Sequence, residues 1–221
     1  MLKINEFFDL QHTLARDYLQ KFATPWLALS GIKQLILDLG PQLSNEYKEI
    51  KPHVWVHESA LIFPSAYLGD PCIIGPHTEV RQGAFIRGSA LVGADCVIGN
   101  SVELKNVILF DHVQVPHYNY VGDSILGYYS HMGAGSITSN MKSDHSLVWI
   151  KEKDKKIATG LKKMGAIVGD HVEVGCNSVL NPGTVIEPFV RVYPLTSVRG
   201  YIPQKTIVKK ADCLVAIHEE N

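Results

Sequence analysis

A mainly β coil wound from short rungs, preceded by a helical segment, is the fold class this sequence predicts. Three observations predict it. An aliphatic residue stands at every sixth position from Val56 through Ile62, Leu68, Ile74, Val80, Ile86, Val92 and Ile98 to Leu104. Four places after each of the first eight stands a small or slender side chain: Ala60, Ala66, Cys72, Thr78, Ala84, Ala90, Cys96 and Val102. The place directly after the aliphatic residue is often glycine, as at Gly69, Gly75, Gly93, Gly99, Gly127, Gly133, Gly169 and Gly175. Helices repeat at about 3.6 residues and strands at 2, so a period of six fits neither a long helix nor a simple hairpin. A short fixed period marks a solenoid.

The elements follow in chain order. Residues 4–22 place Ile4, Phe7, Phe8, Leu14, Tyr18 and Phe22 near one face of a helix. Residues 25–39 read as a second helix, with Pro25 at its start and Gly40-Pro41 at its end. Both are expected to cap the open bottom of the coil, where strand edges are unpaired. The organisation is therefore a helical segment over 1–50, the coil over 51–204 and a final strand or tail over 205–221. The aliphatic series has a short piece at Leu126 and Met132, then resumes as Val168, Val174, Leu180, Ile186, Val192 and Val198. The glycine phase predicts sharp corners, with positive φ as the conformation that glycine allows. Cys72 and Cys96 fall in the small-residue series and read as inert core thiols. Residues 141–166 leave the coil as a loop insertion. Within it, SLVWIKEKDKKIATG alternates like a hairpin, and the insertion carries seven lysines against three acids. Such a loop suits plain solvation or a clamp on the phosphates of a long anionic cofactor.

Composition narrows the function. The chain has 221 residues, 46% hydrophobic and 19% charged, with a formal net charge of −1. That is enough to bury a core, and it lacks the basic excess of a nucleic-acid binder. No apolar run approaches the length of about 18 residues that spans a membrane. The start, MLKINEFFDLQ, lacks the pattern of a signal peptide, so a cytoplasmic protein is expected. Four cysteines without a C-x-x-C pair argue against a disulfide framework or structural zinc site.

Departures from the repeat are the functional clues. Arg81, Arg87, Lys105 and His117 occupy the glycine phase. Arg87 and Lys105 are eighteen residues apart, one full coil, so they stack at about 5 Å between backbones. Two cations this close call for an anion such as a phosphate, or splay into water, or pair with carboxylates such as Glu103. His117 sits after Pro116 where the rhythm is first lost, among Tyr118, Asn119 and Tyr120. With Glu103 across a coil, it has the makings of a general base. The small residues of GAGSITSN, 133–140, suit tight packing or close approach to a ligand, and Asn140 suits a ligand or a turn.

The hexads resemble those of left-handed parallel β-helix proteins, in which three hexads make one triangular coil. GNSVELKN (99–106), HYNYVGD (117–123) and GAGSITSN (133–140) resemble the acetyltransferase domain of bifunctional N-acetylglucosamine-1-phosphate uridyltransferase/glucosamine-1-phosphate acetyltransferases. TGLKKMGAIVGD (159–170) is similar to archaeal sugar-1-phosphate nucleotidyltransferases that also acetylate amino-sugar phosphates. The resemblance implies acetyl transfer from acetyl-CoA to an amino-sugar 1-phosphate, within nucleotide-sugar metabolism. It implies His117 as general base with Glu103 as its carboxylate. It implies Arg87 and Lys105 on the sugar phosphate, with Tyr120, His131 and Asn140 also on the substrate. Acetyl-CoA would lie near Ala134, Cys176 and Pro194, in a groove between subunits of a homotrimer. His131, Met141 and Cys176 depart from the family pattern, which has asparagine, tyrosine and serine there. The bifunctional relatives also carry a nucleotidyltransferase domain with a Gly-rich phosphate loop, which this sequence lacks, so synthesis of nucleotide sugars is not expected.

Two other readings stay open. One is a non-catalytic module that binds sugar phosphates or oligomerises, favoured by the changes at 131, 141 and 176. The other is a zinc enzyme like the γ-class carbonic anhydrases, for which His77, His112 and His117 have suggestive spacing. The leading expectation includes no metal.

Overall fold

Strands of two to seven residues alternate with corners, and strands of successive coils pair in parallel along three flat faces. The computed structural model describes residues 2–211 and 213–217. The first face stacks Val54–His57, Cys72–Ile74, Ala90–Val92, the later parts of Glu103–Leu109 and Tyr120–Leu126, then Ala166–Val168, Thr184–Ile186 and Tyr201–Ile202. The second stacks Leu61–Ile62, Glu79–Val80, Val97–Asn100, Gln114–His117, His131–Met132, Glu173–Val174, Arg191–Val192 and Thr206–Lys210. The third stacks Tyr67–Leu68, Phe85–Ile86, the earlier parts of Glu103–Leu109 and Tyr120–Leu126, then Ile137–Thr138, Val179–Leu180 and Ser197–Val198. The chain is a left-handed parallel β-helix, as the hexads predict.

The aliphatic series fills the interior: Ile74, Val80, Ile86, Val92, Ile98 and Leu104 are each fully buried. The small series lies beside it, and burial pushes the thiols of Cys72 and Cys96 up to about 12, so neither ionises near neutral pH. Thr78 fits the same place because its hydroxyl donates to the Gly93 carbonyl at 2.8 Å and accepts from the Cys96 amide at 3.0 Å.

The glycine phase marks corners, but not through positive φ. Among the described residues, the left-handed corner positions include Ser89, Asp95, His112, Tyr129 and Asn177, and Asp95 lies two places beyond Gly93. Gly93 is needed for space. A Cβ there would lie 2.7 Å from the Asp111 nitrogen and 2.8 Å from the Phe110 carbonyl carbon, backbone atoms of the next coil.

The helical segment also differs from expectation. Residues 4–22 form three short turns, Ile4–Glu6, Leu10–His12 and Arg16–Leu19, rather than one helix. A tight turn over Pro25–Gly31 then leads into the helix Ile32–Leu39. The segment does not sit under the coil. It runs lengthwise along it as a strap. The Asp170 amide donates to the Phe7 carbonyl, the Phe8 ring lies 4.9 Å from that of Phe110, and the Asp111 amide donates to the His12 carbonyl. The Asn106 amide group donates to the Leu29 carbonyl, and Gly40 lies against the Trp55 ring.

The first face explains this path. Its outward positions are Trp55, Ile73, Leu91, Ile108, Ile125, Ile167 and Val185, in register from coil to coil and all buried. Successive strand residues point to opposite sides, so this column faces away from the interior and needs a cover. Phe7, Phe8, Leu19, Trp26, Leu29, Ile32 and Ile36 belong to the same buried core as that column. Caps of another kind close the two ends. Tyr47–Lys51 pairs antiparallel with Val54–His57, and Cys213–Ala216 pairs antiparallel with Thr206–Lys210. The tail expected over 205–221 thus folds back on itself, with positions 212 and 218–221 outside the described residues.

The insertion forms the expected hairpin, Trp149–Glu152 against Lys155–Ala158, with Trp149 opposite Ala158. It leaves and re-enters the coil where the third face turns into the first. From there it packs up the same edge, where Gly183 and Gly200 leave room for the Trp149 and Lys151 carbonyls.

Two stability outcomes follow. Gly93→Ala is expected to destabilise the fold by about 1–3 kcal/mol, whereas Ser89→Gly, at a positive-φ corner, stays within about 1 kcal/mol; paired urea melts compare them. Ile125→Ala, which cuts the covered column, should cost about 2–5 kcal/mol. Calorimetry would read that as a fall of about 2–4 °C in Tm per kcal/mol for a chain of this size.

Candidate functional site

Residues from three consecutive coils meet on the third face. Phe85 pairs in register with Glu103, and Glu103 with Tyr120. Arg87 and Lys105 occupy the next rung, where the Arg87 amide donates to the Leu104 carbonyl. Arg87 and Lys105 thus stack one coil apart, as their eighteen-residue spacing predicts. Their compensating anions come from the chain itself. Arg87 Nη1 donates to Glu103 Oε1 at 2.9 Å, and that carboxylate raises the guanidinium still further above its ordinary value. Lys105 Nζ donates to both oxygens of Asp123, at 2.9 and 3.0 Å. Cation repulsion alone thus demands no outside phosphate.

Asn140 closes the cluster from the coil above. Its side-chain nitrogen donates to the Tyr120 hydroxyl at 3.0 Å and to Asp123 Oδ2 at 2.5 Å. The Tyr120 phenol, accepting from Asn140, keeps its own hydrogen for another partner. Burial, followed by the nearby charges of Asp123 and Glu103, pushes the Tyr120 hydroxyl up, so it stays protonated at neutral pH.

His117 lies just round the edge, at the end of Gln114–His117 on the second face, and its side chain is exposed. Its backbone amide donates to Asn119 Oδ1 at 3.0 Å. Asn119 is buried and anchors the corner by donating to the carbonyls of Gly133 and Ser136. Glu103 sits one coil below on the other side of that edge, with its carboxylate turned to Arg87.

The same edge continues upward from His117. The Gly135 amide donates to the His117 carbonyl at 2.9 Å, the Asn177 amide to Ala134 at 2.8 Å, and the Leu195 amide to Cys176 at 2.9 Å. Ala134, Cys176 and Pro194 therefore follow His117 on successive coils of one edge. Cys176 is exposed, and no side chain larger than proline occupies these three positions.

Other candidates lie elsewhere. His131 pairs in register with Gln114, three residues before His117, which puts it about 10 Å away toward the opposite edge. There its Nδ1 is 2.8 Å from Glu173 Oε2. His112 belongs to that opposite edge too, stacked on Tyr129 at 4.4 Å, in a ladder that continues through His171 to Phe189. His12 of the strap stacks on neighbouring Tyr128 at 3.6 Å. His112 and His117 thus stand at opposite ends of one strand. No group of three or more metal-ligating side chains occurs among the described residues. The lysine hairpin borders the far side of the third face from the Ala134–Pro194 edge, so within one chain it does not clamp that edge.

Sequence reasoning passed over Asp123 and Asn106. Asp123 stands eighteen residues after Lys105, but the coil there is one residue shorter and sets Gly122 in register with Lys105, so spacing alone does not place Asp123 beside it.

Comparison with known proteins gives consistent findings. The chain is 30% identical over 223 aligned residues to a bifunctional protein GlmU of Methanococcus maripaludis, covering 99% of this chain and 54% of that protein. It is 37% identical over 93 residues to a bifunctional sugar-1-phosphate nucleotidylyltransferase/acetyltransferase of Sulfurisphaera tokodaii, covering 42% of this chain and 23% of that one. The chain thus spans about half or less of the length of these relatives. The crystal structure of the polySia-specific acetyltransferase NeuO superposes with a TM-score of 0.51 at 10% identity, over 72% of this chain and 80% of that one, a likeness of fold alone. No helix among the described residues is long and apolar enough to cross a membrane. The model of the GMPPB C-terminal domain matches residues 68–192, more than half of the sequence, and the chain belongs to that family.

Proposed function

We propose that this protein is an acyltransferase that moves an acetyl group from acetyl-CoA to the amine of an amino-sugar 1-phosphate. One observation carries the reading. A histidine with an exposed ring stands where a cluster of polar side chains on the third face meets an edge of small residues. The cluster of Arg87, Lys105, Tyr120 and Asn140 would hold the sugar phosphate, and the edge of Ala134, Cys176 and Pro194 the acetyl-CoA. The relatives named as bifunctional acetyltransferases support the same class of reaction.

His117 would take a proton from the amine as the nitrogen attacks the thioester carbonyl. The C–N bond forms, the C–S bond breaks, and the proton passes on to the departing thiolate. No covalent enzyme intermediate is needed. Holding amine and thioester together supplies much of the rate. Glu103 would contribute through the charge balance with Arg87 and the field at the edge. Beside this column of small residues two large side chains stay open, Tyr118 at 66% and Leu195 at 80% exposure. A second copy of the chain in a homotrimer would cover them and complete the acetyl-CoA groove. A cytoplasmic location would suit these substrates.

A second reading, a sugar-phosphate-binding module without turnover, draws on the same cluster. It is favoured by His131, Met141 and Cys176, which depart from the family pattern while the polar cluster stays in place.

Thiol release from acetyl-CoA, with glucosamine-1-phosphate or galactosamine-1-phosphate as acceptor, separates the two. Acceptor-dependent turnover is expected, falling by about 10²–10⁴-fold in His117→Ala. Acceptor binding by calorimetry with no thiol release would select the binding module instead. The cofactor edge has its own test. In a Cys213→Ser background Cys176 is the one exposed thiol among the described residues, since Cys72 and Cys96 are buried. Saturating acetyl-CoA should slow its alkylation by iodoacetamide by about tenfold, and unchanged labelling would remove acetyl-CoA from this edge.

A further inference from the structure

Asp123 lies where four parts of the chain converge, and it is only 4% exposed. It holds a left-handed corner with φ of 48° between the third and first faces, inside Tyr120–Leu126. Its Oδ1 accepts from Lys105 Nζ at 2.9 Å and from Asn106 Nδ2 at 2.9 Å. Its Oδ2 accepts from Lys105 Nζ at 3.0 Å and from Asn140 Nδ2 at 2.5 Å. Its backbone carbonyl accepts from the Gly165 amide at 2.9 Å, where the chain returns from the insertion. Asn106 in turn donates to the Leu29 carbonyl of the strap at 3.1 Å. A carboxylate with two oxygens offers about four acceptor directions, and these four hydrogen bonds from three nitrogens use them. Asp123 therefore has no lone pair left for a substrate.

We propose that Asp123 is a positioning residue for the acceptor sugar phosphate, aiming Lys105 and Asn140 and, through Asn140, the Tyr120 hydroxyl. This rests on the acetyltransferase reading above. A lysine ammonium has three hydrogens on a flexible stem. With Asp123 holding it in a bidentate contact, Lys105 has a remaining hydrogen directed from a fixed nitrogen, and its side chain is 26% exposed. Asn140 is fixed in the same way, its amide nitrogen shared between Asp123 and Tyr120. The side chains assigned to the acceptor are thus preset before it arrives, which lowers the ordering cost of binding. The same residue ties this preset arrangement to the strap, its carboxylate through Asn106, and to the returning limb of the insertion, its backbone carbonyl through the Gly165 amide.

Asp123→Asn nearly preserves shape but turns one acceptor oxygen into a donor group facing Lys105, Asn106 and Asn140. Steady-state kinetics with glucosamine-1-phosphate and acetyl-CoA test the proposal. The expected result is a fall in kcat/KM for the acceptor of about tenfold to a hundredfold, with KM for acetyl-CoA within about twofold of wild type. In a Lys105→Met background the same change should cost markedly less than it does alone, because its main target is gone. Should D123N fail to fold, Asp123→Glu keeps the charge beside Lys105 but shifts it by a methylene, and the same selective loss is expected. Unchanged acceptor kinetics, or equal losses for both substrates, in an active wild-type background would overturn the positioning role alone. A wild-type protein inactive with both glucosamine-1-phosphate and galactosamine-1-phosphate would overturn the acetyltransferase reading and this role with it.

Discussion

Parallel pairing between coils is the constraint on which everything else depends. A residue's neighbour above or below is fixed by the length of one coil, seventeen or eighteen residues through most of the stack. The pairs Ile74–Val92, Val92–Leu109, Leu109–Leu126 and Val168–Ile186 show both lengths. Each face and each edge therefore reads as a column with one chemistry. The first face has an apolar outer column, the third collects charges at mid-height, and one edge stacks imidazole, phenol and phenyl rings. The candidate site arises where the charged column and an edge of small residues adjoin.

Burial sets the electrostatics of that site. Arg87 and Glu103 are partly exposed, so their pairing is screened by water and contributes little to stability. Lys105 and Asp123 are more enclosed. A buried carboxylate without partners is costly, and here each lone pair is met by a nitrogen donor. That difference separates a pair free to rearrange around a ligand from one that acts as a fixed strut.

Much of the fold was legible because inward positions obey a strict period. Val80, Ile86 and Ile98 show it without help from neighbours. The strap was less legible because its turns are short, and what binds it is a surface of the coil rather than its own periodicity. Ile73, Leu91 and Ile125, each directly before an inward aliphatic residue, carried the missing signal. Their meaning appears only when one face is compared with the other two, where Glu79, Glu103 and Arg191 occupy the same place. Glycine misled for a related reason. At Gly93 the limiting factor is the distance to the coil above, a contact between residues eighteen apart that local backbone preference does not report. For the candidate site, stacking found Arg87 and Lys105, but spacing did not decide between a bound phosphate, water and carboxylates of the chain, and the structure sets Glu103 and Asp123 beside them.

Solenoids are quasi-one-dimensional, and their coils can in principle unwind from either end independently of the middle. The strap changes that. It touches the coil at Trp55, Asn106, Phe110, Asp111 and Asp170, so it bridges the stack lengthwise like a splint. Peeling it away uncovers the apolar outer column of several coils at once, not of one. Coils that a bare solenoid would leave to open separately are thereby coupled through one shared cover.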